Sequence, residues 1–131
     1  MKLLEEIEIQ PEPTPMRVKR RKNRFLKFIG SGEFQKYVLV LSRKRLAEGN
    51  DHYGEVAFHA GEPSRYIIIN PYNGNLATTI CTIIHEILHI MNPKSKEKNI
   101  AKWELEIFND LAPTEISVVL SLAFKNIVWD E

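Results

Sequence analysis

Cysteine is nearly absent from this chain. The single Cys81 in 131 residues excludes an internal disulfide framework and excludes cysteine-rich zinc knuckles. Long hydrophobic runs are missing too. The longest uncharged stretch, Tyr66–Ile84, is interrupted by Asn70, Pro71, Asn73, Gly74 and Asn75, so it cannot cross a bilayer as one helix. The opening "MKLLEEIEIQ" has no apolar core of the kind a secretory signal needs. No internal repeat is visible. These absences predict a cytoplasmic protein without a membrane segment.

What is present reads as globular: 44% hydrophobic and 27% charged residues, in a length suited to one compact domain. Net charge is only +1, but it is unevenly spread. Glu5, Glu6, Glu8 and Glu12 crowd the first residues, the proline-spaced "QPEPTP" follows, and "MRVKRRKNRFLK" (16–27) then carries only basic charges. Residues 1–30 are expected to form a charged arm or linker, acidic then basic, ahead of a domain at 31–131. The basic block is expected to be a solvated face, with weak nucleic-acid contact through residues 16–27 as its functional alternative.

Within the domain, "QKYVLVLS" (35–42) has the β-branched and aromatic content of a strand, "GEVAFHA" (54–60) alternates apolar and polar positions, and "RYIIIN" (65–70) reads as a third strand. The polar 43–53 reads as a loop or short helix. From Leu76 the period becomes helical. Ile80, Ile83, Ile84, Ile87, Leu88 and Met91 form one apolar stripe, ended by Asn92-Pro93. Ser95 is the expected N-cap of a second helix running to Leu111, with Glu97 in its first turn, and Thr114 that of a third over 115–124. Strands first and helices last give an α+β class: a small, about three-stranded sheet followed by the helix at 76–91 and one or two more.

The chemistry lies in "TIIHEILHIM" (82–91). His85 and His89 are four residues apart on one helical face, a spacing at which two imidazoles can reach one metal ion. Glu86 projects from the adjoining face, placed to take a proton rather than to share the ion. A third ligand is usual in a catalytic site. Only His52 and His59 remain as further histidines and neither follows the motif. Cys81, one turn before His85, shares the face but reads as core packing.

The next helix offers Glu104 and Glu106. On a helical wheel centred on Ile100, Glu104 falls at about 40°, inside the apolar face with Trp103, Ile107 and Phe108, and Glu106 at about 240°, toward solvent. A carboxylate on a buried face costs several kcal/mol (order of magnitude) unless it is paired or bound to metal. Glu104 is therefore the expected third ligand. Glu106 is the alternative, or a surface charge paired with Lys102. Imidazole–carboxylate ligation suits zinc, one ion per chain.

His85-Glu86-x-x-His89 followed by a glutamate on the next helix resembles the gluzincin branch of HExxH zinc metallopeptidases, and most of all the minigluzincins and small phage-type proteins with "HELLH" helices. The resemblance spans about Gly54–Leu111 and implies a minimal zincin-like fold. It further implies His85, His89 and Glu104 as zinc ligands and peptide-bond hydrolysis in which Glu86 takes a proton from zinc-bound water and passes it to the leaving amine. Glu106-x-x-x-Asp110 echoes the family's third-ligand context and favours the alternative ligand. Tyr72 and His59 are candidate donors to the oxyanion or supports for the ligands. An extended peptide substrate is expected along a sheet edge, with 66–69 the nearest strand in sequence, and the acidic end "VWDE" as a short tail or a covering segment. The competing reading is a zinc-containing binding or regulatory protein without turnover, of viral or nucleic-acid-associated type.

Overall fold

The computed structural model describes residues 14–42, 54–59, 62–71 and 75–130, without the side chains of 54–59, 62–64 and 130. In chain order come α1 (Met16–Ile29), a single 3₁₀ turn (Phe34–Lys36), β1 (Val38–Ser42), β2 (Gly54–His59), β3 (Glu62–Ile69), α2 (Leu76–Met91), α3 (Glu97–Asp110), α4 (Pro113–Ala123) and β4 (Ile127–Asp130). The class is α+β. The four strands lie in the order β2-β3-β1-β4. β3, β1 and β4 are parallel, and β2 adds antiparallel to β3, with a register irregularity between Val56 and Phe58.

Alternation along β1 and β3 sends Leu39, Leu41, Ile67 and Ile69 to one face, where all four are buried. The apolar stripe of α2 (Ile80, Ile83, Ile84, Ile87, Leu88) meets them, and Ile100 and Ile107 of α3, Phe25 and Ile29 of α1 and Val119 of α4 close the same core. Helix α2 begins at an N-cap that apolar periodicity does not reveal: the Asn75 side chain accepts from the Thr78 N–H at 2.9 Å. It ends at Asn92, whose N–H donates to the Leu88 carbonyl.

Four expectations are corrected. First, residues 16–29 are not a solvated arm. Val18, Phe25 and Ile29 are buried, and the charges facing α3 and α4 are paired: Arg17 and Arg21 with Glu106 at 3.3 and 3.7 Å, Lys22 with Asp110 and Glu115 at 3.0 and 3.1 Å. A basic run with a narrow apolar stripe reads as solvated until its acidic partners, 88 to 93 residues away for Arg17 and Lys22, are known. Second, the C-terminal residues are a strand. Ile127–Asp130 pairs with Leu39–Ser42, and the Leu39 N–H donates to the Asn126 carbonyl at 2.8 Å, giving β1 a partner on its otherwise open edge. Third, the strand at 66–69 is interior, with β2 on one side and β1 on the other, so it offers no free edge to a peptide. Fourth, the caps shift. α3 starts after Lys96 rather than Ser95, and α4 starts at Pro113, its Ala112 N–H donating to the Glu115 carboxylate at 2.9 Å. Among the described residues, no helix is long and apolar enough to cross a membrane.

Candidate metal centre

α2 and α3 are joined by the short turn 92–96 and pack against each other, while α2 also rests on β2 and β3. The pairing is antiparallel, so the first turn of α3 faces the last turns of α2. Glu97 therefore comes to the two histidines. Its Oε1 lies 2.5 Å from His85 Nε2 and its Oε2 2.8 Å from His89 Nε2. The two Nε2 atoms are 3.2 Å apart. One ligand atom from each of His85, His89 and Glu97 lies within 4.8 Å of the others, so the group could hold a metal ion.

The donor set fits a zinc-sized cation. Bonds of about 2.0–2.1 Å at tetrahedral angles place neighbouring ligand atoms about 3.3 Å apart. The Nε2–Nε2 separation of 3.2 Å matches that spacing. The two carboxylate contacts are shorter and must open slightly. Glu97 has room to do so, because its side chain is 66% exposed while those of His85 and His89 are 18% and 22% exposed. Three protein ligands would also leave a fourth position for a reactant.

Glu104 occupies a different place from the expected one. Its Oε1 lies 2.6 Å from His85 Nδ1, the nitrogen turned away from Glu97 and His89. With Nδ1 protonated, this carboxylate accepts from it and would steady the ring from behind if Nε2 held a cation. Both ring nitrogens of His85 face carboxylates. Burial lowers the pKa of this imidazole, but the hydrogen bond to Glu104 and the charges of Glu97, Glu86 and Glu104 outweigh it and hold it above the ordinary histidine value.

Cys81 continues the same row. It sits half-buried one turn before His85, and burial, then the charge of Glu104 and a hydrogen bond to it, push its thiol up to about 11. Its thiol bonds Glu104, and the group whose ligand atoms converge is His85, His89 and Glu97. Glu106 is on the other side of α3, engaged by Arg17 and Arg21. It contributes to helix packing and not to this centre, and its partner is α1 rather than Lys102. Glu86 is buried, with 6% of its surface exposed, and follows His85 on α2 about 100° further round the helix. The backbone of His59 lies in β2, but its side chain, with Tyr72 and His52, is outside the described residues.

Sequence reasoning misses Glu97, which reads only as a favourable acid in a helical first turn. A signal for it exists: Glu97 is seven residues, two helical turns, before Glu104, and so on the same inward face.

No protein-family model, characterised protein or solved structure matches the chain. The resemblance to gluzincins therefore rests on the residues of α2 and α3 themselves.

Proposed function

We propose that this protein is a zinc-dependent peptidase of minimal zincin-like type, with His85, His89 and Glu97 as the ligands of one zinc ion and Glu86 as the acid/base. The observation that carries the reading is the meeting of the two Nε2 atoms of an HExxH helix with the carboxylate of Glu97. Bound zinc would supply a Lewis acid that polarises a carbonyl and makes water acidic enough to lose a proton near neutral pH. Glu104 fixes the His85 tautomer and ring orientation. Glu86 takes the proton of the attacking water on its carboxylate and returns it to the leaving amine, acting as base and then as acid. An extended peptide would add along β2, an outer strand packed beside α2.

Burial of Glu86 favours a second reading, a zinc centre without turnover, because a proton shuttle needs access to the reactant. One pair of measurements separates them. Zinc content is measured first, then cleavage of a fluorogenic peptide library by wild type and by Glu86→Gln. Stoichiometric zinc in both proteins with cleavage only in wild type supports the peptidase. Stoichiometric zinc with no cleavage in either establishes the non-catalytic centre, and no zinc in wild type removes both readings.

A further inference from the structure

The pairing of Arg17, Arg21 and Lys22 divides the basic block in two. Those side chains point to α3 and α4, and Lys19 adds charge near Asp110, whereas Arg20, Arg24 and Lys27 are exposed on the side of α1 turned away from the core, at spacings of four and three that keep them in one row. Helix α3 carries a second exposed row, Lys98 and Lys102, four residues apart. Thr14 bonds Asp110 at 2.6 Å, Arg17 pairs with Glu106, and the Arg21 guanidinium lies 4.3 Å from the centre of the Trp103 ring. Rising numbers on α1 meet falling numbers on α3, so the helices are antiparallel. Both rest their apolar sides on one core and touch along this seam, and their outward faces therefore form one surface. Arg20, Arg24 and Lys27 lie beside Lys98 and Lys102 on it. The acids of α3 are turned elsewhere, Glu106 and Asp110 to α1 and Glu97 and Glu104 to α2.

We infer that this two-helix face docks on the phosphodiester backbone of duplex nucleic acid. From Arg20 to Lys27 the row rises about 10 Å, and a duplex carries one negative charge per ~1.7 Å of axis, so several phosphates face the rows at once. No aromatic ring is exposed within 20–27 or 98–102. That omits the stacking platform on which single strands are held and leaves backbone charge as the recognised feature. Binding is independent of base sequence and steeply dependent on salt.

The test is fluorescence anisotropy of the full chain with a labelled random-sequence duplex. It is run in EDTA, so that the result does not depend on the metal centre, between about 50 and 200 mM salt. Wild type is expected to bind, with affinity falling linearly on a log–log salt plot. Arg20→Gln/Arg24→Gln/Lys27→Gln is expected to weaken binding at least about tenfold at the lowest salt and to flatten the slope by about 2–3. Lys98→Gln/Lys102→Gln does the same by about 2. Lys36→Gln/Lys125→Gln, which removes charge elsewhere, leaves both unchanged. All substituted residues are exposed, and circular dichroism melts verify folding. Absence of binding at about 50 mM salt overturns the inference, and so does an equal loss in the Lys36/Lys125 variant. Tighter binding to a single strand of the same length refutes the duplex assignment. Competition by polyglutamate as effective as by duplex assigns the face to acidic proteins instead.

Discussion

Replacing Glu97 by Gln should damage zinc binding more than replacing Glu104 by Gln, and replacing Glu106 by Gln should not damage it at all. The order follows from position. Glu97 touches both Nε2 atoms, Glu104 touches only the rear nitrogen of His85, and Glu106 is bound to α1. Loss of a carboxylate that orients a ligand imidazole typically costs about 10–100-fold in metal affinity, or about 1.4–2.7 kcal/mol. Loss of the one anionic ligand should exceed the upper end of that range, beyond about 100-fold. The fold itself tolerates Glu97→Gln. The change removes an acid from a helical first turn, worth about 0.3–1 kcal/mol, and a largely exposed pairing with His85 and His89 worth about 0–1 kcal/mol more, so metal-free melting temperatures should differ by only a few degrees. Zinc affinity is read by competition against a chromophoric chelator at neutral pH. A second readout is thermal: zinc at 100 times its Kd adds about 2.7 kcal/mol and should raise the wild-type melting temperature by about 10 °C. A wild type whose melting is indifferent to zinc would refute the centre. A larger loss with Glu104→Gln than with Glu97→Gln would refute the assignment of roles within it.

Three further outcomes are expected. Phe25→Ala should destabilise the fold by about 3–5 kcal/mol in urea unfolding, because Phe25 is fully buried. A solvated arm would give a change near zero. The Lys22–Asp110–Glu115 cluster sets an acid limit. A hydrogen bond from Thr14 and then the bonds and charge of Lys22 hold the Asp110 carboxyl below its ordinary range, and the Ala112 N–H and Lys22 do the same for Glu115. Groups depressed on folding stabilise above their unfolded pKa values and lose that contribution as pH falls through the folded ones. Unfolding free energy should therefore drop below about pH 4, and a Lys22→Met variant should show a shallower drop in urea titrations run across that range. Cys81, with its thiol at about 11, should react with iodoacetamide about 100-fold more slowly at neutral pH than a free thiol of pKa ~8.5. Glu104→Gln should speed it, and a wild-type rate equal to that of glutathione would contradict the Cys81–Glu104 contact.

The elements whose apolar period is complete are legible in the sequence alone. The five apolar positions of α2 from Ile80 to Leu88 recur at three and four residues, and the apolar, β-branched runs at 38–41 and 67–69 mark strands, although only the structure shows that Leu39, Leu41, Ile67 and Ile69 are the buried positions. α1 is not legible in this way, because only Val18, Phe25 and Ile29 of its face are buried apolar residues and cations fill the rest. Their neutralisation by Glu106, Asp110 and Glu115 is a tertiary fact with no local signature. The same blindness hides β4: "IVWD" is too short to assert a strand by alternation, and its pairing with β1 is decided by the open edge that β1 leaves.

The identity of the third ligand shows where periodicity ends and register begins. A helical wheel gives the angle of a residue about its axis, and by that measure Glu97 and Glu104 are equivalent, both facing α2. The turn 92–96 separates them. A connection this short folds α3 straight back along α2, so residues near its start lie opposite the end of α2 and residues two turns later lie about 10 Å further back. Glu97 then meets His89 and His85, while Glu104 meets His85 and Cys81, and these are the contacts found. Counting outward from the turn, rather than around the wheel, assigns Glu97 to the side of the histidines where a cation can sit and Glu104 to the side that steadies one of them. Lengthening the turn by Gly insertion after Lys94 would loosen this register. Zinc affinity should fall by about the same 10–100-fold as on loss of Glu104, while the α2 stripe keeps its place in the core. An insertion that leaves affinity intact would mean that the two carboxylates are positioned by the helix faces alone.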